Sequence, residues 1–299
     1  MEPLELLKAL FIGIVQGITE WLPISSTGHM ILFEEFSTLN VSKEFLGLFN
    51  VVIQLGSIMA VLVLYFHRLN PFSPRKSSPE KRSTLSLWLK VIVACVPAAI
   101  VGLLWDSWVE EHFYNAVIVA CALIVYGIAF IIIERVKRST SKTQVRGKHS
   151  ALGPPAADDP IKELDNLSFP KALGIGAFQC LAIVPGTSRS GSTILGGLIL
   201  GVSRQVATEF SFFLAIPVMF GWSLLRTVKA FLIDKLILTT TEWGVLVVGT
   251  VVAFIVSLFV IRFLVGFIKK HSFAAFGWYR IALGVLVLAF FTITGSLFG

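Results

Sequence analysis

The sequence predicts an all-α polytopic membrane protein, with six full transmembrane helices and two re-entrant helical hairpins arranged as an inverted-topology repeat. Three observations carry this expectation. Of 299 residues, 55% are hydrophobic and only 14% charged, where a soluble chain carries about 25% charge; mean hydropathy is +0.82. The apolar residues lie in blocks of about 18–22, the length that crosses a bilayer core. The same order of elements occurs twice: short helix, polar break, short helix, three spans. Such uninterrupted apolar runs exclude a large soluble α-protein.

The net charge of +7 sits in short loops flanking apolar blocks, the pattern of cytoplasmic loops beside anionic lipid. The bilayer is therefore the expected partner, and no nucleic acid. Cys95, Cys121 and Cys180 lie in or beside apolar blocks without C-x-x-C spacing and read as small core residues. The first apolar run lacks a basic flank and a small-residue cleavage site, so it reads as part of the mature protein.

In chain order, 4–15 form an apolar helix too short to span. The stretch QGITEWLPISSTGHM (16–30) follows, broken by Pro23. Proline removes a donor and biases the preceding residue away from helix. Ser25 or Ser26 then caps a second short helix through His29 to Phe33. Spans are expected at 46–66, 86–105 and 116–135. A charged linker rich in Gly, Pro and Asp occupies 137–170, reads as mobile, and separates a first repeat (1–136, hairpin 4–33) from a second (171–299, hairpin 171–200). The second repeat places its break at PGTSRSGST (185–193) and its spans at 207–226, 243–262 and 278–296. GIVQ (13–16) is echoed by GAFQ (176–179), and Pro23, Ser26 and Gly28 by Pro185, Ser188 and Gly191, with a one-residue difference in spacing.

Three spans per half invert the second half relative to the first. Loop 67–85 carries Arg68, Arg75, Lys76, Lys81 and Arg82 against Glu80; loop 106–115 carries only Asp106, Glu110 and Glu111; loop 263–277 carries Lys269 and Lys270. The alternation places 67–85, the linker and 263–277 in the cytoplasm. The hairpins then dip in from opposite sides, and their tips meet near the midplane.

Polar groups at membrane depth are costly and mark function. Each tip feeds a helix N-terminus, a natural site for phosphate. Arg189 is the only arginine in either break, and its fork matches phosphate oxygens. Ser25 and Thr27 on the first tip, and Thr187, Ser188, Ser190 and Thr193 on the second, offer hydroxyls to a bound pyrophosphate. Ser26 and His29, three apart, pair a nucleophile with a base. Glu20 can orient His29, transfer a proton, or hold a divalent cation. Gln54 and Glu209 lie within spans as supporting polar groups, Glu209 within reach of Arg204.

With these residues in hand, the chain resembles the bacterial undecaprenyl-diphosphate phosphatases of the bacitracin-resistance type. The matching pieces are QGITEWLPISSTGHM, VVIQLGSIMAVL (51–62), FQCLAIVPGTSRSGSTI (178–194) and GVSRQVATEFSF (201–212), which run through both halves. The resemblance implies a multi-pass phosphatase of the bacterial inner membrane, with its site on the periplasmic side. It would convert undecaprenyl diphosphate to undecaprenyl phosphate and inorganic phosphate for cell-wall synthesis. Dependence on Mg²⁺ or Ca²⁺ and bacitracin resistance are also implied, and a homodimer is left open. The family's E/Q-x-x-x-E element falls on Gln16 and Glu20, its serine on Ser26, its histidine on His29, and its PG-x-SRSG element on Pro185, Gly186, Ser188, Arg189, Ser190 and Gly191. Because Gln16 is neutral where some members have glutamate, Glu20 must carry the charge of a tentative Gln16–Glu20 metal site.

The expected mechanism has Arg189 and the second tip's serines grip the diphosphate while Ser26 attacks, with His29 handling the proton. In a variant, water attacks directly and Ser26 only binds. On architecture alone, a secondary transporter or lipid flippase is the rival.

Overall fold

The computed structural model describes residues 2–113, 115–147 and 163–294, and among these it is helical with no strand. The elements are α1 (Pro3–Thr19), α2 (Ser26–Phe36), α3 (Lys43–Leu64), a single turn α4 (Phe66–Leu69), α5 (Ser78–Phe113), α6 (Ala116–Gly147), α7 (Phe169–Gln179), α8 (Arg189–Ile199), α9 (Arg204–Val228), α10 (Thr240–Lys270) and α11 (Ala274–Thr294). Six are long and apolar enough to cross a bilayer: α3, α5, α6, α9 (with the turn that follows it), α10 and α11.

The apolar blocks of the sequence place these spans but underestimate the length of several. Helix α5 begins at Ser78 and α6 continues to Gly147, because hydropathy marks only the lipid-facing stretch, whereas backbone hydrogen bonding carries a helix beyond it. The expected linker is correspondingly shorter. A 3₁₀ turn at Leu164–Asn166 buries Leu164 and Leu167, and Asp165 is tied to α5 through Ser83 (2.7 Å) and Lys90 (3.0 Å). The GPPAADDP stretch lies outside the described residues. Spans start where hydroxyls cap them: Ser42 on α3, Ser203 on α9, and Thr239 with Glu242 in a capping box on α10.

The short helices of each half pack on the other half. Helix α1 lies against α10, and α7 against α5. Small residues permit the approach, as is usual between membrane helices. A Cβ on Gly13 would stand 2.6 Å from the Gly249 carbonyl oxygen, and one on Gly176 only 2.0 Å from that of Ala94. Both obstructions are backbone and cannot yield by a rotamer change. Gly176→Val is therefore expected to cost about 3 kcal/mol through overpacking, read as a lowered melting temperature in detergent. Gly266→Val, which meets nothing within 4 Å, should leave it unchanged.

Candidate active site

Two loops, 20–25 after α1 and 180–188 after α7, come together where α2 and α8 begin. Their chemistry starts from an unusual pair of serines. Ser25 and Ser188 both adopt φ 72°, a region that L-residues enter only when their surroundings hold them there. Each is the N-cap of the helix it precedes: Ser25 Oγ accepts from Gly28 N (3.4 Å) and Ser188 Oγ from Gly191 N (3.1 Å). This fixes the register of the two halves. Gly13, Gln16 and Gly28 stand at the same distances from Ser25 as Gly176, Gln179 and Gly191 from Ser188. The one-residue offset expected from aligning the prolines disappears, because the capping hydroxyl, and not the proline, sets where the helix begins.

The loops are held by a buried arginine. Arg280 on α11 is fully buried, and its guanidinium donates to Pro23 O (3.1 Å) in the first loop and to Gly186 O (2.9 Å) and Thr187 O (3.0 Å) in the second. It also lies 5.4 Å from the Tyr126 ring. Ser190 adds a second stitch, its hydroxyl reaching Glu20 O (3.2 Å) and Leu22 O (3.4 Å).

Between the loops, Arg189 Nη2 donates to Glu20 Oε1 at 2.9 Å and Nη1 to Ser211 O at 2.9 Å. Gln16 Nε2 donates to the other carboxylate oxygen at 3.0 Å. Arg189 also stands 5.8 Å over the buried Trp21 ring. A cavity of about 200 Å³ opens beside this pair, its wall including Glu20, Ser26, Gln54, Ser188, Arg189 and Trp222. Among the described residues the Ser26 hydroxyl has no hydrogen-bond partner and borders the cavity. A larger apolar groove of about 430 Å³, between α5 and α9, adjoins it and shares Ala182, Arg189, Val218 and Trp222 with it.

The sequence-predicted residues divide accordingly. Glu20, Ser26, Gln54, Ser188 and Arg189 meet in the cavity wall. Ser25, Thr187, Ser190 and Thr193 are buried and spend their polar groups on the scaffold. Ser25 caps α2, the Thr187 carbonyl receives Arg280, and Thr193 Oγ1 meets Ser211 Oγ at 2.6 Å. The Thr27 side chain lies outside the described residues.

His29 turns away from the cavity: its Nδ1 lies 2.7 Å from Ser25 O and its Nε2 2.7 Å from the Tyr279 hydroxyl. A carbonyl only accepts, so Nδ1 carries the proton and Tyr279 donates to Nε2. Glu20 is thus held by Gln16 and Arg189 and does not orient His29.

Glu209 lines a separate cavity with Arg68 and Asp165, bonded to Arg68 (3.4 Å) and Gln205 (3.1 Å). The expected Arg204–Glu209 pair does not form. Five residues turn a helix by about 140°, so Arg204 points instead to Glu134 on α6.

Arg280, Trp21, Trp222 and Tyr279 escape a motif-based reading. A lone arginine within the apolar run of α11 was the available signal for Arg280.

The profile of the family described as bacitracin resistance protein BacA matches residues 9–286. The chain is 55% identical to an undecaprenyl-diphosphatase of Streptococcus thermophilus over 95% of this chain and 93% of the relative. It is 52% identical to one of Enterococcus faecalis over 95% and 96%, and 51% identical to one of Streptococcus agalactiae over 97% and 98%. With matches of that extent, the chain belongs to the bacitracin resistance protein BacA family.

Proposed function

We propose that this multi-pass membrane protein is a phosphatase that hydrolyses undecaprenyl diphosphate to undecaprenyl phosphate and inorganic phosphate. The observation that carries the reading is the cavity in which an unpartnered serine hydroxyl, a guanidinium and a carboxylate meet beside an apolar groove. The diphosphate fits the polar cavity. The isoprenyl chain fits the groove, whose α5 side continues into the exposed apolar residues Ile100 and Leu103.

The 11-residue helices α2 and α8 both begin at this cavity, and their first-turn N–H groups favour an anion. Arg189 grips the terminal phosphate. Ser26 Oγ attacks its phosphorus, forming an O–P bond as the bridging P–O bond breaks, and the monophosphate lipid departs. Water then cleaves the seryl phosphate and releases inorganic phosphate. Glu20 is the one carboxylate of the cavity wall among the described residues, and it accepts the Ser26 proton. His29 fixes the Ser25 carbonyl, and through it the loop that presents Ser26.

The wall also suits a divalent cation. Its donors are hard oxygens: the Glu20 carboxylate, the Gln54 amide oxygen and the serine hydroxyls. No group of three or more His, Cys, Asp or Glu ligands occurs among the described residues, so substrate phosphates must complete the coordination, as is usual for Mg²⁺. Glu20 and Gln54 would hold the ion. Gln16, whose amide nitrogen faces Glu20, supports the carboxylate. A bound Mg²⁺ or Ca²⁺ supplies charge neutralisation at the transferred phosphoryl group.

The inverted repeat is supported by the matched cap serines and by the reciprocal packing of α1 on α10 and α7 on α5. With basic loops inside, the protein resides in the bacterial plasma membrane and the site serves its outer face. Removing undecaprenyl diphosphate there deprives bacitracin of its target and returns the carrier to cell-wall synthesis.

The test is phosphate release from undecaprenyl diphosphate by the purified protein in detergent, with chelator and with Mg²⁺ or Ca²⁺ restored. Metal-dependent release, lowered at least about a hundredfold by Ser26→Ala, is expected. Near-normal turnover by Ser26→Ala would end the covalent route in favour of direct attack by water, and absence of release under every metal would end the phosphatase reading.

A further inference from the structure

The two halves use their equivalent glutamines differently. Gln16 donates to Glu20, four residues on. In the second half Ile183 stands where Glu20 does in the first, so Gln179 has no carboxylate to meet. Gln179 is 3% exposed, yet neither its amide nitrogen nor its oxygen has a hydrogen-bond partner. Among the described residues, Trp21, Asn50, Ser57 and Thr250 also carry a buried unpaired side-chain atom. Among these, Gln179 is the one with both ends buried and unpaired, and it borders the apolar groove, whose wall also includes Arg189. A buried amide left without partners is costly, and such a group in the wall of a binding cavity calls for a partner from outside the chain.

We infer that Gln179 binds the inner phosphate of the diphosphate lipid, its amide N–H donating to a non-bridging oxygen. The ligand supplies the anion that the second half lacks, in the relation Glu20 bears to Gln16. The outer phosphate then lies at Arg189 and Ser26, the inner phosphate at the head of the groove, and the chain along α5 and α9. After hydrolysis the inner phosphate is the one the product keeps, so the same amide holds the monophosphate lipid until it leaves. This assignment rests on the phosphatase reading.

Gln179→Leu and Gln179→Met remove the amide while keeping the volume, and neither leaves a buried group unpaired. Three constants are measured for wild type and both variants: KM for undecaprenyl diphosphate, and the inhibition constants of undecaprenyl phosphate and of inorganic phosphate. The first two are expected to rise about tenfold, the worth of one hydrogen bond to a charged group. The third should stay within about twofold, since inorganic phosphate occupies the outer position. Unchanged constants would overturn the assignment, and so would an equal rise in all three, which marks distortion of the whole site. If wild type releases no phosphate, the phosphatase reading fails separately. Direct binding of undecaprenyl phosphate, followed by native mass spectrometry, then decides this one: weaker binding by the variants sustains the Gln179 site, and equal binding ends it.

Discussion

Replacing Arg189 by alanine is expected to slow phosphate release from undecaprenyl diphosphate by about a thousandfold. Among the described residues Arg189 is the only cationic side chain in the wall of the polar cavity, and it serves both loops at once. Its Nη2 reaches Glu20 and its Nη1 the Ser211 carbonyl. Removal deletes the forked donor that matches phosphate oxygens and leaves the Glu20 carboxylate, 8% exposed, facing an anionic substrate without its counter-charge. Arg189→Lys keeps the charge but not the planar fork and should recover only part of the rate. Steady-state release in detergent, at substrate concentrations spanning KM, checks both variants. A loss below about tenfold for Arg189→Ala would shift the phosphate grip from this side chain to the N-termini of α2 and α8.

Arg280→Met is expected to lower stability by about 3 kcal/mol or more, as four backbone carbonyls lose a charged donor inside the protein. Methionine fills much of the volume but donates nothing, and Pro23, Gly186 and Thr187 are buried residues. The loops that Arg280 joins hold Ser25 and Ser188 at φ 72°. Without it these backbones relax toward ordinary conformations, so phosphate release should fall along with stability. Thermal unfolding in detergent should show a melting temperature lower by about 10 °C. Arg280→Lys should fall between the two, since an ammonium reaches some of these carbonyls but lacks the spread of the guanidinium. A melting temperature within about 2 °C of wild type for Arg280→Met would show that Ser190 and the caps suffice to hold the loops.

The spans and breaks were legible because hydropathy and proline are local signals. Arg189, Glu20 and Ser26 were legible for a related reason: charge and hydroxyl within an apolar protein are conspicuous. The partnerships were not. His29 finds Tyr279 on the last helix, and nothing local distinguishes that contact from a pairing with Ser26. Arg204 chooses Glu134 over the nearer Glu209 because helix rotation, not proximity along the chain, decides which side chains face one another. Ser190 and Thr193 resemble ligands in sequence, yet Ser190 is spent on carbonyls of the first half and Thr193 on the Ser211 hydroxyl of α9. Arg280 is diluted by its apolar neighbours in any hydropathy average. Gln179 stands out only beside Gln16, when one amide has a partner and its counterpart has none.

The reciprocal packing of short helices has a consequence for how the chain is made. Helix α1 is synthesised first, but the surface it rests on, α10, emerges nearly last. For most of that interval Glu20 lacks Arg189, and throughout it the first loop lacks the Arg280 donor that fastens it. The ribosome thus delivers a polar segment to the bilayer long before its complement exists. A nascent chain halted before Thr240 would present α1 without its main docking surface, leaving the segment to insertion factors or proteases. Quality control during translation therefore bears most heavily on the N-terminal quarter, and late-encoded substitutions in α10 or α11 should manifest as failed maturation of the beginning of the molecule.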